Sequence, residues 1–183
     1  MLSSPVLTHA KAMEDAAEHR AWNGRTRLTA ATIGLAAALT NFDVTSVVVV
    51  LPLIGTNLDM RVASWAWIID AYSIAFTATL LIAGALADRF GRRRTFLMGN
   101  TGFLVTSLAC GLAWNSALFL AARAAQGVAA AFLVTGGFAS IATAFPAPEG
   151  RARAFGIAGV ASGVAMALGP SLGGLIGSGL GWR

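Results

Sequence analysis

The sequence predicts an all-α fold, a polytopic bundle of transmembrane helices, and three observations carry that prediction. The first is composition: of 183 residues, 56% are hydrophobic and only 11% are charged, against about 25% charged in an average soluble domain. Mean hydropathy is +0.70. The second is the spacing of the charges, which divides the chain into apolar stretches of the ~20 residues that a helix needs to cross a bilayer. The third is the grouping of Lys and Arg into short segments between alternate stretches. A disordered chain needs low hydrophobicity and much charge, and a soluble domain needs a polar surface that so few charged side chains cannot supply.

The elements follow in chain order. Residues 1–27 are polar and mixed in charge, without the early apolar run and cleavage site of a secretory signal, and form a tail. The first span is expected at about 28–51, interrupted only by Asp43, and the second at 63–87, interrupted by Asp70. Residues 95–122 carry no charge, but Trp114, Asn115 and Ser116 divide them and set the third span at 95–113. The fourth, at 117–145, contains Arg123 and is closed by Pro146 and Pro148; the fifth runs over 155–177. Lys11, Arg20, Arg25 and Arg27 precede span one. Arg89, Arg92, Arg93 and Arg94 follow span two, and Arg151 and Arg153 follow span four. Cytoplasmic loops are enriched in Lys and Arg, so this side is expected to be cytoplasmic, with the amino terminus inside. The other side has only Arg61 and Arg183.

Other bulk features narrow the class. Net charge is +5, but the basic residues sit in short clusters beside apolar runs, so nucleic acid is not an expected partner. Cys110 stands alone and both histidines, His9 and His19, lie in the tail, so neither an internal disulfide, nor a metal site, nor a cofactor is expected. The glycine doublets lie in apolar spans rather than between a strand and a helix, as a nucleotide fingerprint requires, and no enzyme is expected.

Three ionisable residues interrupt the spans: Asp43, Asp70 and Arg123. A charge within the membrane costs at least a few kcal/mol by insertion scales and marks a functional candidate. At ~1.5 Å rise per residue, Asp43 lies roughly 12 Å and Arg123 roughly 9 Å below the outer surface, so the two can meet if their helices are neighbours. Asp70 lies shallower, at roughly 8–10 Å. The functional reading is proton coupling by Asp43 with Arg123 and cation recognition by Asp70. The plain alternatives are a purely structural ion pair and an interfacial carboxylate reaching water.

Five segments add a resemblance. The segment Gly84-Ala-Leu-Ala-Asp88-Arg89-Phe90-Gly91-Arg92-Arg93-Arg94 resembles the signature loop of the major facilitator superfamily. Asn41-Phe42-Asp43-Val44-Thr45 with Leu51-Pro52 is similar to the first-helix motif of its 14-span drug:proton antiporters. Trp67-Ile68-Ile69-Asp70-Ala71-Tyr72-Ser73 is similar to the second helix of their quaternary-ammonium efflux branch, where the equivalent acid is implicated in recognising cationic drugs. Arg123-Ala-Ala-Gln126-Gly127 resembles the fourth-helix motif, whose Arg is assigned to proton transfer. In span five, Gly156, Gly169, Pro170, Gly173 and Gly174 match the superfamily's antiporter motif, with Ala165 where a second Gly is expected. Independently of any family, Ala161, Ala165, Gly169, Gly173 and Gly177 recur every four residues and form a small-residue stripe, which lets helix backbones approach in lipid.

The resemblance covers roughly residues 28–183. It implies proton-coupled efflux of drugs or lipophilic cations, with protons, cationic or lipophilic small molecules and the lipid bilayer as partners, in a cell membrane. It implies that Gly84, Asp88, Arg89, Gly91, Arg92 and Arg93 gate the cytoplasmic side. It also implies a fold of two six-helix halves, of which five of the first six helices are present. The chain is therefore expected to be an amino-terminal fragment lacking the carboxy-terminal half and inactive alone. A non-transporting membrane stub or interaction subunit, and an uptake transporter of another branch, are the alternatives.

Overall fold

A computed structural model describes residues 23–179. It contains five α-helices: α1 (Gly24–Asn57), α2 (Ala66–Phe90), α3 (Arg92–Gly111), α4 (Ser116–Ala144) and α5 (Pro148–Gly179). A 3-10 turn, Val62–Ser64, leads into α2. No strand occurs among the described residues. Most of the expected tail, residues 1–22, and the last four residues, 180–183, lie outside the described residues.

The helices begin and end where backbone chemistry allows, which is not where the charges stand. The Asn23 side chain accepts the Thr26 N–H at 3.0 Å and starts α1, and Asn115 does the same for α4 through Leu118 N–H at 2.8 Å. Asparagine at the N-cap satisfies one of the orphan donors of the first turn. α1 runs through Pro52 to Asn57, six residues past the expected end at Leu51. α5 begins at Pro148 rather than near 155, so Arg151 and Arg153 lie in its opening turns and not in a loop. Proline suits a first helical turn because its missing N–H would be unsatisfied there anyway. Between α2 and α3 a single residue, Gly91, makes the whole connection with φ +96° and ψ 134°. Gly91 donates to the Ala87 carbonyl and accepts from Thr95 N–H, both at 3.1 Å.

Four of these helices, all but α3, are long and apolar enough to cross a membrane on their own. α3 opens on Arg92, Arg93 and Arg94 and carries Asn100, Thr101, Thr106 and Ser107, which dilute its hydropathy. Its place in the bundle comes from packing. α3 lies along α4, α2 packs on another flank of α4, and α5 packs along α1. α4 is the central helix: half of its most apolar window is buried, against 22% for α1, 17% for α2 and 11% for α5.

Glycine and alanine make these contacts close. A Cβ on Gly99 would meet the Leu133 backbone, and one on Gly136 would lie 2.8 Å from Phe96 Cα. α3 and α4 thus touch backbone to backbone at two levels. Along α5, Gly169 faces Thr45, Gly173 faces Ser46 and Gly177 faces Val50 of α1. Ala154 and Ala158 extend this buried face, so the predicted stripe is the α1–α5 contact. Serine and threonine hydroxyls return to carbonyls of their own helices, as Thr40 to Ala37 at 2.8 Å and Ser140 to Gly136 at 2.6 Å. Hydrocarbon offers no other partner for a polar group, and no buried side-chain N or O is left without a hydrogen bond among the described residues.

Gly136→Ala is expected to destabilise the bundle by about 1–3 kcal/mol through overpacking against the Phe96 backbone. Gly156→Ala, whose Cβ meets nothing within 4 Å, should be neutral or slightly stabilising, because Ala costs a helix interior less than Gly. Thermal unfolding midpoints in detergent distinguish the two.

Candidate functional site

Arg123 projects from the second turn of α4 into the bundle and is only 2% exposed. A guanidinium offers donors and no acceptor, so its neighbours must supply acceptors. One Nη1 proton goes to Asp43 Oδ2 of α1 at 2.7 Å. The other goes to Gln126 Oε1 at 2.6 Å, one turn further along α4. Nε donates to the Ile68 carbonyl of α2 at 3.2 Å. One face of the guanidinium lies over the Tyr72 ring, 4.6 Å from its centroid. The Gln126 amide nitrogen donates to Asp43 Oδ1 at 3.1 Å and to Ser107 Oγ of α3 at 2.7 Å. Both Asp43 oxygens are therefore held, and α1, α2, α3 and α4 all meet at one charge.

The sequence sets up this convergence. Arg123 and Gln126 are three residues apart and share one face of α4. Gly127 follows them, and a Cβ there would overlap the Tyr72 carbonyl oxygen. The missing side chain lets α2 approach until Ile68 and Tyr72 reach the guanidinium. Asp43 is less enclosed than its partners, with a side-chain exposure of 22%. It stands in the wall between two clefts. One, of about 250 Å³, is lined by Val47, Val50, Cys110, Phe119, Gly173 and Ile176 beside the charged pair. The other, of about 370 Å³, is lined by Leu39, Phe42, Asn100, Phe103 and Leu104.

The remaining predicted site residues lie elsewhere. Asp70 is exposed on α2 between the exposed Trp67 and Ile74, two residues from Tyr72 but outside the network. Asp88, Gly91, Arg92 and Arg93 line a separate cleft at the arginine-rich end, closed on its far side by Ser140 and Thr143 of α4. Arg92 donates to Thr143 Oγ1 and, at 3.3 Å, to the Ala139 carbonyl, which ties the start of α3 to the end of α4. Arg89 lies over the adjacent Phe90 ring at 5.5 Å. Gly84 packs loosely, its nearest neighbour Thr135. On α5, Gly169 and Gly173 face α1, Gly174 approaches Val49, and Gly156 and Pro170 point away from the bundle.

This constellation is a buried charge pair at the centre of an apolar helical bundle, with an arginine-rich turn at one end. The sequence model of the Major Facilitator Superfamily matches residues 33–183. The chain belongs to the Major Facilitator Superfamily. It is 41% identical over 164 residues to the puromycin resistance protein pur8 of Streptomyces alboniger, covering 90% of this chain and 32% of that protein. It is 38% identical over 159 residues to the drug efflux pump JefA of Mycobacterium tuberculosis, covering 87% and 31%. A methylenomycin A resistance protein of Streptomyces coelicolor is 35% identical, covering 86% and 33%. The chain spans about a third of the length of these curated relatives. As a superfamily member with several apolar helices, it is a multi-pass membrane protein.

Within this network, Asp43 and Arg123 stand out in the sequence as lone charges in apolar runs. Gln126, Ser107 and Tyr72 do not stand out as site residues. Gln126 carried a signal, being a lone amide on the Arg123 face of an apolar helix. Ser107 carried none, since serine and threonine recur throughout these helices.

Removing one partner of a buried pair leaves an uncompensated charge and costs about 3–5 kcal/mol. Arg123→Met should show that loss, and adding Asp43→Leu should recover most of it. A double-mutant cycle on detergent unfolding midpoints measures the coupling.

Proposed function

We propose that this region serves, within a transporter of its relatives' full length, in proton-coupled efflux of drugs or lipophilic cations. The observation that carries the reading is the 2.7 Å contact of Asp43 and Arg123 in the wall between two clefts. A carboxylate in that position can accept one proton, and the proton removes the charge that holds the guanidinium. The ion pair then becomes a contact between a cation and a neutral carboxylic acid, which is weaker because the attraction between opposite charges is gone. Arg123 keeps Gln126, Ile68 and Tyr72 as partners, so it remains satisfied while Asp43 is released. Loss of the proton restores the pair. One proton thus switches one contact between α1 and α4.

Asp70 supplies the cation-recognising charge in this reading. It is an exposed carboxylate flanked by Trp67 and Ile74, and a lipophilic cation needs both a negative charge and an apolar or aromatic surface. That the relatives bear names such as drug efflux pump and puromycin resistance protein supports drugs as the cargo. Five spans are proposed, α3 included, with the arginine-rich end in the cytoplasm on the positive-inside rule. The Asp88–Arg93 turn gates that end. The Gly169–Gly174 segment of α5 sets helix packing against leak.

Asp43→Asn is expected to abolish efflux driven by a proton gradient in proteoliposomes while membrane insertion stays intact; proton-driven efflux at the unaltered rate would refute the assignment. Asp70→Asn should lose growth protection against lipophilic cations while neutral drugs are still exported. Protection against both classes at the original level would remove Asp70 from recognition.

A further inference from the structure

Three of the five Arg123 N–H groups are spent in hydrogen bonds, to Asp43, Gln126 and Ile68. A guanidinium donates within its own plane, so these bonds leave its two faces to be covered by other contacts. The contact on one face comes from α2. The Tyr72 ring covers one guanidinium face at 4.6 Å, is itself only 7% exposed, and is backed by the Phe76 ring, parallel to within 5° at a centroid distance of 6.2 Å. Arg123 thus lies on the Tyr72 ring, and the Phe76 ring runs parallel to that ring one helical turn further along α2.

We propose that Tyr72 is a positioning residue for Arg123. Its ring, together with the Ile68 carbonyl, makes α2 the clamp that sets the angle at which the guanidinium meets Asp43. This rests on the reading of Asp43 and Arg123 as the proton-coupling pair, and it adds a third helix to that switch. Cation–π attraction is strongest where the cation is desolvated, as it is here. The close passage of Gly127 over the Tyr72 carbonyl fixes the ring's height along α4. The ring also acts on Arg123 alone: when Asp43 takes a proton, the stack persists and holds the guanidinium ready for the carboxylate to return. The titratable and charged groups around Arg123 are Asp43 on α1, Tyr72 itself on α2 and Cys110 on α3, which lines the same cleft. The α5 residues that border the cleft, Gly173, Ile176 and Gly177, carry no charge.

Cys110 provides a readout independent of transport. It is the only cysteine in this sequence, its Sγ lies 3.8 Å from Gln126 Oε1, and its alkylation reports how tightly the network closes the cleft. In a transporter of the relatives' full length that carries this region, reconstituted in proteoliposomes, Tyr72→Leu is expected to speed N-ethylmaleimide labelling of Cys110, followed by peptide mass spectrometry, by about thirtyfold, the scale of a desolvated cation–π contact. It should also displace the pH midpoint of proton-driven efflux. Tyr72→Phe, which keeps the ring, should restore both to the original values. Unchanged Cys110 labelling and an unchanged pH midpoint in a folded Tyr72→Leu protein would overturn the proposal. So would equal effects of the Leu and Phe variants, which would assign the role to the hydroxyl. If Asp43→Asn leaves proton coupling intact, the transport reading fails by itself, and the labelling rates still decide whether Tyr72 positions Arg123.

Discussion

A guanidinium inside an apolar bundle has to be neutralised and hydrogen-bonded from every direction at once, and most of this structure is arranged around that requirement. A guanidinium offers only donors, so the fold must bring acceptors to Arg123. Asp43 comes from α1, a backbone carbonyl and an aromatic face from α2, and Gln126 from α4 itself, with Ser107 of α3 anchoring Gln126 from behind. The four helices are thereby specified relative to one another by directional bonds. In lipid this matters more than in water, because hydrocarbon offers apolar side chains no preference between a neighbouring helix and an acyl chain. Close packing and polar contacts must select the arrangement.

Glycine is what allows those contacts to be short. Gly127 opens α4 to α2 at the level of the charge, and Gly99 and Gly136 bring α3 and α4 together nearer the arginine-rich end. The α5 glycines do the same for α1, the helix that carries Asp43. The two classes of residue work as a pair: the small ones fix the distance between backbones, and the polar ones fix rotation and depth. The opposite end of α2 is held differently. Gly91 turns the chain within one residue at a positive φ, and Arg92 fastens the start of α3 to the last turns of α4.

Much of this was legible in the sequence, and the parts that were not have a physical reason. Charge spacing marks out three of the helices, because a charge in a membrane span is costly wherever it falls, and the Trp114, Asn115 and Ser116 break separates the other two. The same signal misplaced helix ends, since a helix stops where its backbone bonds stop, and Arg151 and Arg153 are as acceptable in a helix as in a loop. Depth along the helix correctly allowed Asp43 to meet Arg123. The four-residue repeat on α5 foretold a packing face, but not that Gly156 and Pro170 would lie off it. Contacts made by a carbonyl or a ring face, such as Ile68 and Tyr72 on Arg123, leave no mark in composition or periodicity. They depend on where α2 sits, and Gly127 decides that.

The hydroxyls and amide around Asp43 have one more effect. Thr40 and Asn41 both return to the Ala37 carbonyl, Thr45 returns to Asn41, and Ser46 to Phe42. Each of those carbonyls is shared between a side chain and the helical ladder, and such sharing loosens and bends a helix locally. The shared carbonyls, of Ala37, Asn41 and Phe42, lie in the turns that lead into Asp43. α1 is therefore loosened at the turn that bears its charge. A carboxylate mounted on such a turn can approach or leave Arg123 by local flexure, with Gly169 and Gly173 of α5 packed against the neighbouring Thr45 and Ser46.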